Sequence, residues 1–165
     1  MRALGGPVFG LRALAGILVG AALLLPLAPA SLRADVKPNL DQGLALEGYD
    51  AVSYQDGGKP AKGLAQFSCT LKGATWRFAT AAHLAAFQKD PARWEPAFGG
   101  WCAYAMSRGE LVEVDPLDFK VVKGRLLLFY RSLFVDTLAK WNPQEADLLP
   151  KADASWARLN QALGR

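Results

Sequence analysis

The chain reads as an α+β domain, a small antiparallel sheet of two hairpins packed with several short helices. Three observations predict it. "AQFSCTL" and "ATWRFA" alternate apolar and polar residues on either side of a Lys-Gly pair, the pattern of a half-buried hairpin. "FKVV" and "RLLLFY" repeat the arrangement around a second Lys-Gly pair, and the unbroken apolar run Leu126 to Tyr130 predicts a strand buried on both faces. Between and after these hairpins, apolar residues recur at helical rather than strand spacing.

Taken in order, residues 1–34 form a signal peptide. Arg2 and Arg12 precede an uncharged apolar run from Ala13 to Leu25, and prolines and small residues follow. Cleavage fits after Ala30 or Ala34, and Ala34 is preferred because polarity begins at Asp35. Pro26 and Pro29 interrupt the run too early for a spanning helix, which needs about 20 apolar residues. The leader has neither a cysteine for lipid attachment nor a twin-arginine pair. The expected destination is export, into the periplasm, with no membrane attachment after cleavage.

Residues 35–42 read as a loose amino-terminal arm. "LEGYDAVSY" then runs into a loop marked by Gly57, Gly58, Pro60 and Gly63. In the first hairpin Phe67, Cys69 and Leu71 share one face, as do Trp76 and Phe78 on the return strand, so Cys69 is expected to face the core. Thr80 is placed to cap a helix over "AAHLAAFQKD", with Leu84 and Phe87 as its apolar stripe and Pro91 as its stop. After Gly99 and Gly100 a short helix is expected from Trp101 to Ser107. "SLFVDTLAKW" predicts an amphipathic helix with Phe134, Leu138 and Trp141 on its apolar face. Asn142, Pro143 and Glu145 imitate an N-cap, an N1 proline and a capping box. Residues 142–165 form a helical extension, with Ala152, Trp156, Leu159 and Leu163 on one face.

The formal charge of +4 suggests nucleic acid at first sight, yet Arg2, Arg12 and Arg33 lie in the leader with no acidic residue. From Asp35 onward sixteen basic residues stand against fifteen acidic ones, leaving +1, and nucleic-acid binding loses its support. A mature chain of about 130 residues suits one domain. There is no His-Glu-x-x-His, no Gly-x-Ser-x-Gly and no phosphate-cradling glycine loop, so metalloprotease, hydrolase and nucleotide readings lack a site.

The chemistry therefore rests on few side chains. Cys69 and Cys102 are the only cysteines, and in an oxidising compartment a disulfide between them is a natural default. A helix starting near Gly100 would favour a Cys102 thiolate through its free N–H groups, the state that a soft metal or a redox partner needs. Met106, four residues on, would share that helical face and could complete a Cu(I) pair. Both residue types are also easily buried as plain core. His83, the single histidine, could swing toward Cys102 as a third ligand, or stay at the surface in a hydrogen bond. Tyr49, Asp50 and Tyr54 could line a pocket with a carboxylate, or Asp50 could cap a turn while the tyrosines pack. A Cys102–His83 nucleophilic pair has no orienting third member by signature, and no catalytic residue is assigned.

"EGYDAVSYQDGGKPAKG", "GATWRFATAAHLAAFQKDPARWEPAFGGWCAYA" and "VVKGRLLLFY", in that order, resemble the exported YHS domain proteins of bacteria. The resemblance spans residues 43–141 and runs through Gly48, Tyr49, Asp50, Tyr54, Gly73, Trp76, Phe78, Phe87, Pro91, Trp94, Gly99, Gly100, Cys102 and Ala103. It implies handling of a soft or heavy metal such as copper, which places Cys102 at the centre with Met106 and His83 assisting. The expectation is thus an exported YHS-like binding protein for a metal ion or a protein partner. The alternatives are an interaction module stapled by a Cys69–Cys102 disulfide and a thiol redox protein.

Overall fold

The computed structural model describes residues 36–163; the expected leader and its cleavage site lie outside the described residues. The fold is α+β, as the sequence predicts. Strands β3 (Leu64–Leu71) and β4 (Ala74–Phe78) form the first hairpin, with Cys69 opposite Trp76. Strands β5 (Asp115–Val122) and β6 (Arg125–Phe129) form the second. Both turns are the expected Lys-Gly pairs, Lys72-Gly73 at φ 51° and 77° and Lys123-Gly124 at φ 50° and 75°. Two successive left-handed residues match the twist of a tight hairpin, which glycine adopts freely.

The two hairpins do not share a sheet. The first is widened by β1 (Leu40–Asp41) and β2 (Leu44–Ala45) into a four-stranded sheet of order β1-β2-β4-β3, and Leu44 pairs in parallel with Thr75. The second stands alone. Strand β1 comes from the arm expected to be loose. That arm is tied down: the Asn39 N–H donates to the Gly99 carbonyl at 2.9 Å, and the Val36 N–H to Asn160 Oδ1 at 2.9 Å.

Helix α1 (Ala81–Lys89) begins as expected, with Thr80 Oγ1 accepting the His83 N–H at 3.1 Å. It buries Phe87 and is followed by the short α2 (Pro91–Trp94). Helix α3 is only Ala103–Met106, with Cys102 in the cap position. Helix α4 (Thr137–Trp141) starts later than expected because Asp136 caps it, accepting the Ala139 N–H at 2.8 Å. Phe134 is thereby excluded from the helix and stands 91% exposed. Asn142 is not an N-cap but ends α4 as its C-cap, its N–H donating to the Leu138 carbonyl; residues Asn142–Gln144 form a 3-10 turn leading from α4 into α5 (Glu145–Leu163). Glu145 instead accepts the Trp141 indole N–H at 3.0 Å.

The core has two clusters. Trp76, Phe78, Phe87, Tyr54 and Val52 belong to one, Phe98, Met106, Trp141 and Ala152 to the other. Ala152 on α5 is fully buried, so the carboxy-terminal helix is packed into the fold. Strand β6 serves both clusters, Leu126 and Leu128 on one side, Leu127 and Phe129 on the other. This is the strand buried on both faces that the apolar run predicts.

Candidate functional site

The thiols are the first residues to place. Cys69 is half-buried against the first cluster, and burial pushes its thiol pKa up, away from the thiolate that redox chemistry needs. Cys102 is completely buried, its Sγ 3.5 Å from Thr137 Oγ1. The expected disulfide is not formed: both cysteines are free thiols. Nor does Cys102 sit in a first turn with a free N–H. Phe98, Gly99 and Gly100 all adopt positive φ, which turns the chain inward, and the Cys102 N–H donates to the Val112 carbonyl at 2.9 Å. Met106 is equally enclosed at 0% exposure. The soft-metal trio of Cys102, Met106 and His83 is not assembled, because His83 is engaged elsewhere.

His83 reaches Asp50. The Asp50 carboxylate is wholly enclosed, at 0% exposure. Its Oδ1 accepts the Val52 N–H at 2.9 Å, and its Oδ2 accepts the Ala79 N–H at 2.8 Å. The same Oδ2 lies 2.6 Å from His83 Nδ1. Local sequence explains the pose. Asp50 opens a turn in which the Ser53 hydroxyl and N–H both donate to the Asp50 carbonyl, at 2.7 and 3.1 Å. Short polar side chains favour such turns because they bind their own backbone two residues on. His83 occupies the third position of α1, and the helix start directs its ring at Asp50. Because both Asp50 oxygens already accept backbone N–H groups, the proton of the imidazole contact belongs on Nδ1. The other nitrogen, Nε2, lies 3.4 Å from Asp56 Oδ2, on an aspartate whose side chain is 70% exposed.

The expected pocket of Tyr49, Asp50 and Tyr54 does not exist as one. Asp50 is consumed as above. Tyr54 is buried and donates its hydroxyl to the Pro116 carbonyl at 3.0 Å, and burial drives its phenol pKa well above the ordinary value. Tyr49 carries the Lys62 ammonium 3.8 Å above its ring. The turn-capping alternative describes Asp50 correctly, and the Asp50–His83 pair adds a contact that spacing does not reveal.

Elsewhere a groove of about 840 Å³ is bordered by Trp76, Phe98, Gly99, Leu128, Trp156 and Arg125. Its walls mix aromatic rings with charge. Phe98 and Trp156 meet edge to face with centroids 6.4 Å apart, and the Arg125 guanidinium lies 5.4 Å from the Phe98 ring while paired with Asp153 at 2.7 Å. Trp76, which borders the groove, holds its indole Nε1 buried without a hydrogen-bond partner. A donor left in that state costs about 1–3 kcal/mol until an acceptor reaches it. Sequence periodicity assigns Trp76 to the core, where the structure places it, and does not show that its indole N–H lacks a partner.

Among the described residues no group of three His, Cys, Asp or Glu side chains is arranged to hold a metal ion, and no helix is long and apolar enough to cross a membrane. No family model, curated protein or solved structure matches the chain.

Proposed function

We propose that the chain is an exported, YHS-like binding module, working in the periplasm, that takes a small planar organic ligand with a hydrogen-bond acceptor into the groove beside Trp76. The observation that carries this reading is Trp76, which lines a groove of about 840 Å³ and whose indole N–H is buried without a partner. That volume lies within the range of small-molecule sites, and the walls set the rings of Trp76, Phe98 and Trp156 beside charged groups such as Lys72, Glu95 and Arg125. Its role is binding, not catalysis. The soft-metal form of the reading, with copper at Cys102, is less favoured because the thiol is enclosed and no ligand set surrounds it.

Fragment screening by two-dimensional NMR tests the proposal. Hits should move the Trp76 indole signal, identified by its loss in Trp76→Phe, together with the Gly99 and Gly100 amides. Trp76→Phe should weaken those hits about threefold to tenfold, the worth of one neutral hydrogen bond. Hits that leave these signals unmoved, or that bind Trp76→Phe equally well, refute it.

An interaction module is the second reading. Its support is a pair of apolar side chains, Leu133 at 89% and Phe134 at 91% exposure, on a turn closed by the Ser132 N–H to the Val135 carbonyl at 2.8 Å.

A further inference from the structure

We infer that residues 36–39 form a strap, hinged at β1, that closes one side of the groove and opens as a unit while the rest of the fold stays intact. Its role as a gate rests on the groove being the binding site; its motion does not. Val36, Lys37, Pro38 and Asn39 all border the groove. The sequence makes them a crossing segment rather than a strand, since Pro38 has no N–H to give a sheet ladder. Pairing begins only at Leu40, where β1 forms the outer edge of its sheet.

Four hydrogen bonds tie the strap down. The Val36 N–H donates to Asn160 Oδ1 on α5 at 2.9 Å, and Asn160 is oriented by its own Nδ2, which donates to the Trp156 carbonyl at 3.0 Å. Asn39 grips the left-handed turn twice, its N–H donating to the Gly99 carbonyl at 2.9 Å and its Nδ2 to the Gly100 carbonyl at 3.2 Å. The Lys37 carbonyl accepts the Trp101 indole N–H at 2.9 Å. Glycine lets this surface form. A Cβ on Gly99 would stand 3.0 Å from the Trp156 ring and 3.6 Å from Pro38 Cα, so a side chain there would hold the strap and Trp156 apart.

The strap is separable because little else holds it. Beyond the four bonds only Val36 is buried, and residues 36–39 put no aromatic ring into either cluster, whereas β6 is fixed into both. Segments held by few apolar contacts and partly exposed hydrogen bonds open ahead of global unfolding. Release trades these bonds for water and leaves both hairpins whole. It admits solvent, or a ligand, to the side of the groove that Trp76 lines.

Native-state hydrogen exchange on untagged protein reads the motion without any ligand. The Val36 and Asn39 amides and the Trp101 indole N–H should share one opening that barely responds to low urea, while the β6 amides follow the steep slope of global unfolding. The buried Trp76 indole N–H should exchange through the strap's opening. A lock supplies the second arm. A Cβ on Gly100 would stand 3.7 Å from Asn39 Cβ, and disulfides hold their Cβ atoms about 3.8 Å apart. Asn39→Cys with Gly100→Cys, in a Cys69→Ser background, is therefore closed by oxidation and reopened by reductant, with the 39–100 bond checked by peptide mapping. Both redox forms carry the same strain from a side chain at φ 86°. Oxidation should slow exchange at the Val36 amide and the Trp76 indole by about tenfold or more, and reductant should restore it. Either of two results overturns the strap: its amides or the Trp76 indole exchanging only with the free energy and slope of β6, or the Trp76 indole exchanging equally fast in the oxidised and reduced forms. Fragments that fail to bind count against the ligand alone, because none of these rates involves one.

Discussion

Replacing Asp50 by alanine should remove a large share of the stability of the domain. The substitution strands two backbone donors, the buried Val52 N–H and the half-buried Ala79 N–H, and deletes the contact to His83 Nδ1. An orphaned buried donor costs about 1–3 kcal/mol, and Ala79 falls at the lower end because water can reach it. The sum is about 2–4 kcal/mol against a typical total of about 5–15 kcal/mol. His83→Ala removes one bond to a partly exposed ring and strands no backbone group, so it should cost about 1 kcal/mol or less. Asp50→Asn should recover half of the loss at most, because its amide can accept one backbone N–H but turns its own N–H toward the other. Urea unfolding followed by tryptophan fluorescence measures all three, with the slope checked for constancy. If Asp50→Ala lies within 1 kcal/mol of the parent, or if His83→Ala costs as much, the backbone donors are not what the carboxylate serves.

Alkylation read by intact mass should label Cys69 slowly and Cys102 not at all in the native reduced protein, and both thiols in denaturant without added reductant; a thiol pair blocked until reduction would contradict the free cysteines seen here. Glu145 is held below the usual carboxylate range first by its contact with Lys120, so its contribution is present above about pH 4.3 and fades as pH falls through its folded value. Glu145→Gln should flatten that acid limb of a stability profile, and an unchanged limb would discount the pair. Tyr54 runs in the opposite sense. Its phenol is raised by burial, so folding should weaken as pH climbs above about 10, where unfolded tyrosine ionises. Absorbance titration should show Tyr54 ionising only with unfolding, and Tyr54→Phe should cost about 1 kcal/mol at neutral pH.

Local chemistry made much of the fold legible. Two Lys-Gly pairs mark both main turns, Thr80 marks the start of α1, and the apolar run over β6 announces burial on both faces. The misreadings have identifiable competitors. Asp136 replaces the expected start at Ser132 because its side chain caps Ala139, which leaves Phe134 outside the helix, and the Asn142 signal is overridden by continuation of α4 into a 3-10 turn. The thiol site failed for a conformational reason, since three successive positive-φ residues turn Cys102 inward instead of to a helix mouth. The Asp50–His83 pair joins residues 33 positions apart, a distance that no periodicity covers. The available hint was a turn-forming aspartate flanked by an apolar run, together with the chain's one histidine on the opening turn of a capped helix. Strand β1 escaped notice because two residues are too few to show alternation.

The two-sided strand β6 has a consequence for how the molecule comes apart. Leu126, Leu127, Leu128 and Phe129 are each at most 1% exposed, and neighbours in sequence insert into different clusters. Neither cluster can be dismantled while β6 keeps its place, and displacing β6 opens both at once. The amide protons of this strand should therefore exchange with solvent last, and at a common rate set by global opening. A protein built on such a shared strand loses its two halves in one transition, so damage anywhere along Leu126–Phe129 is felt at the groove and at the histidine alike.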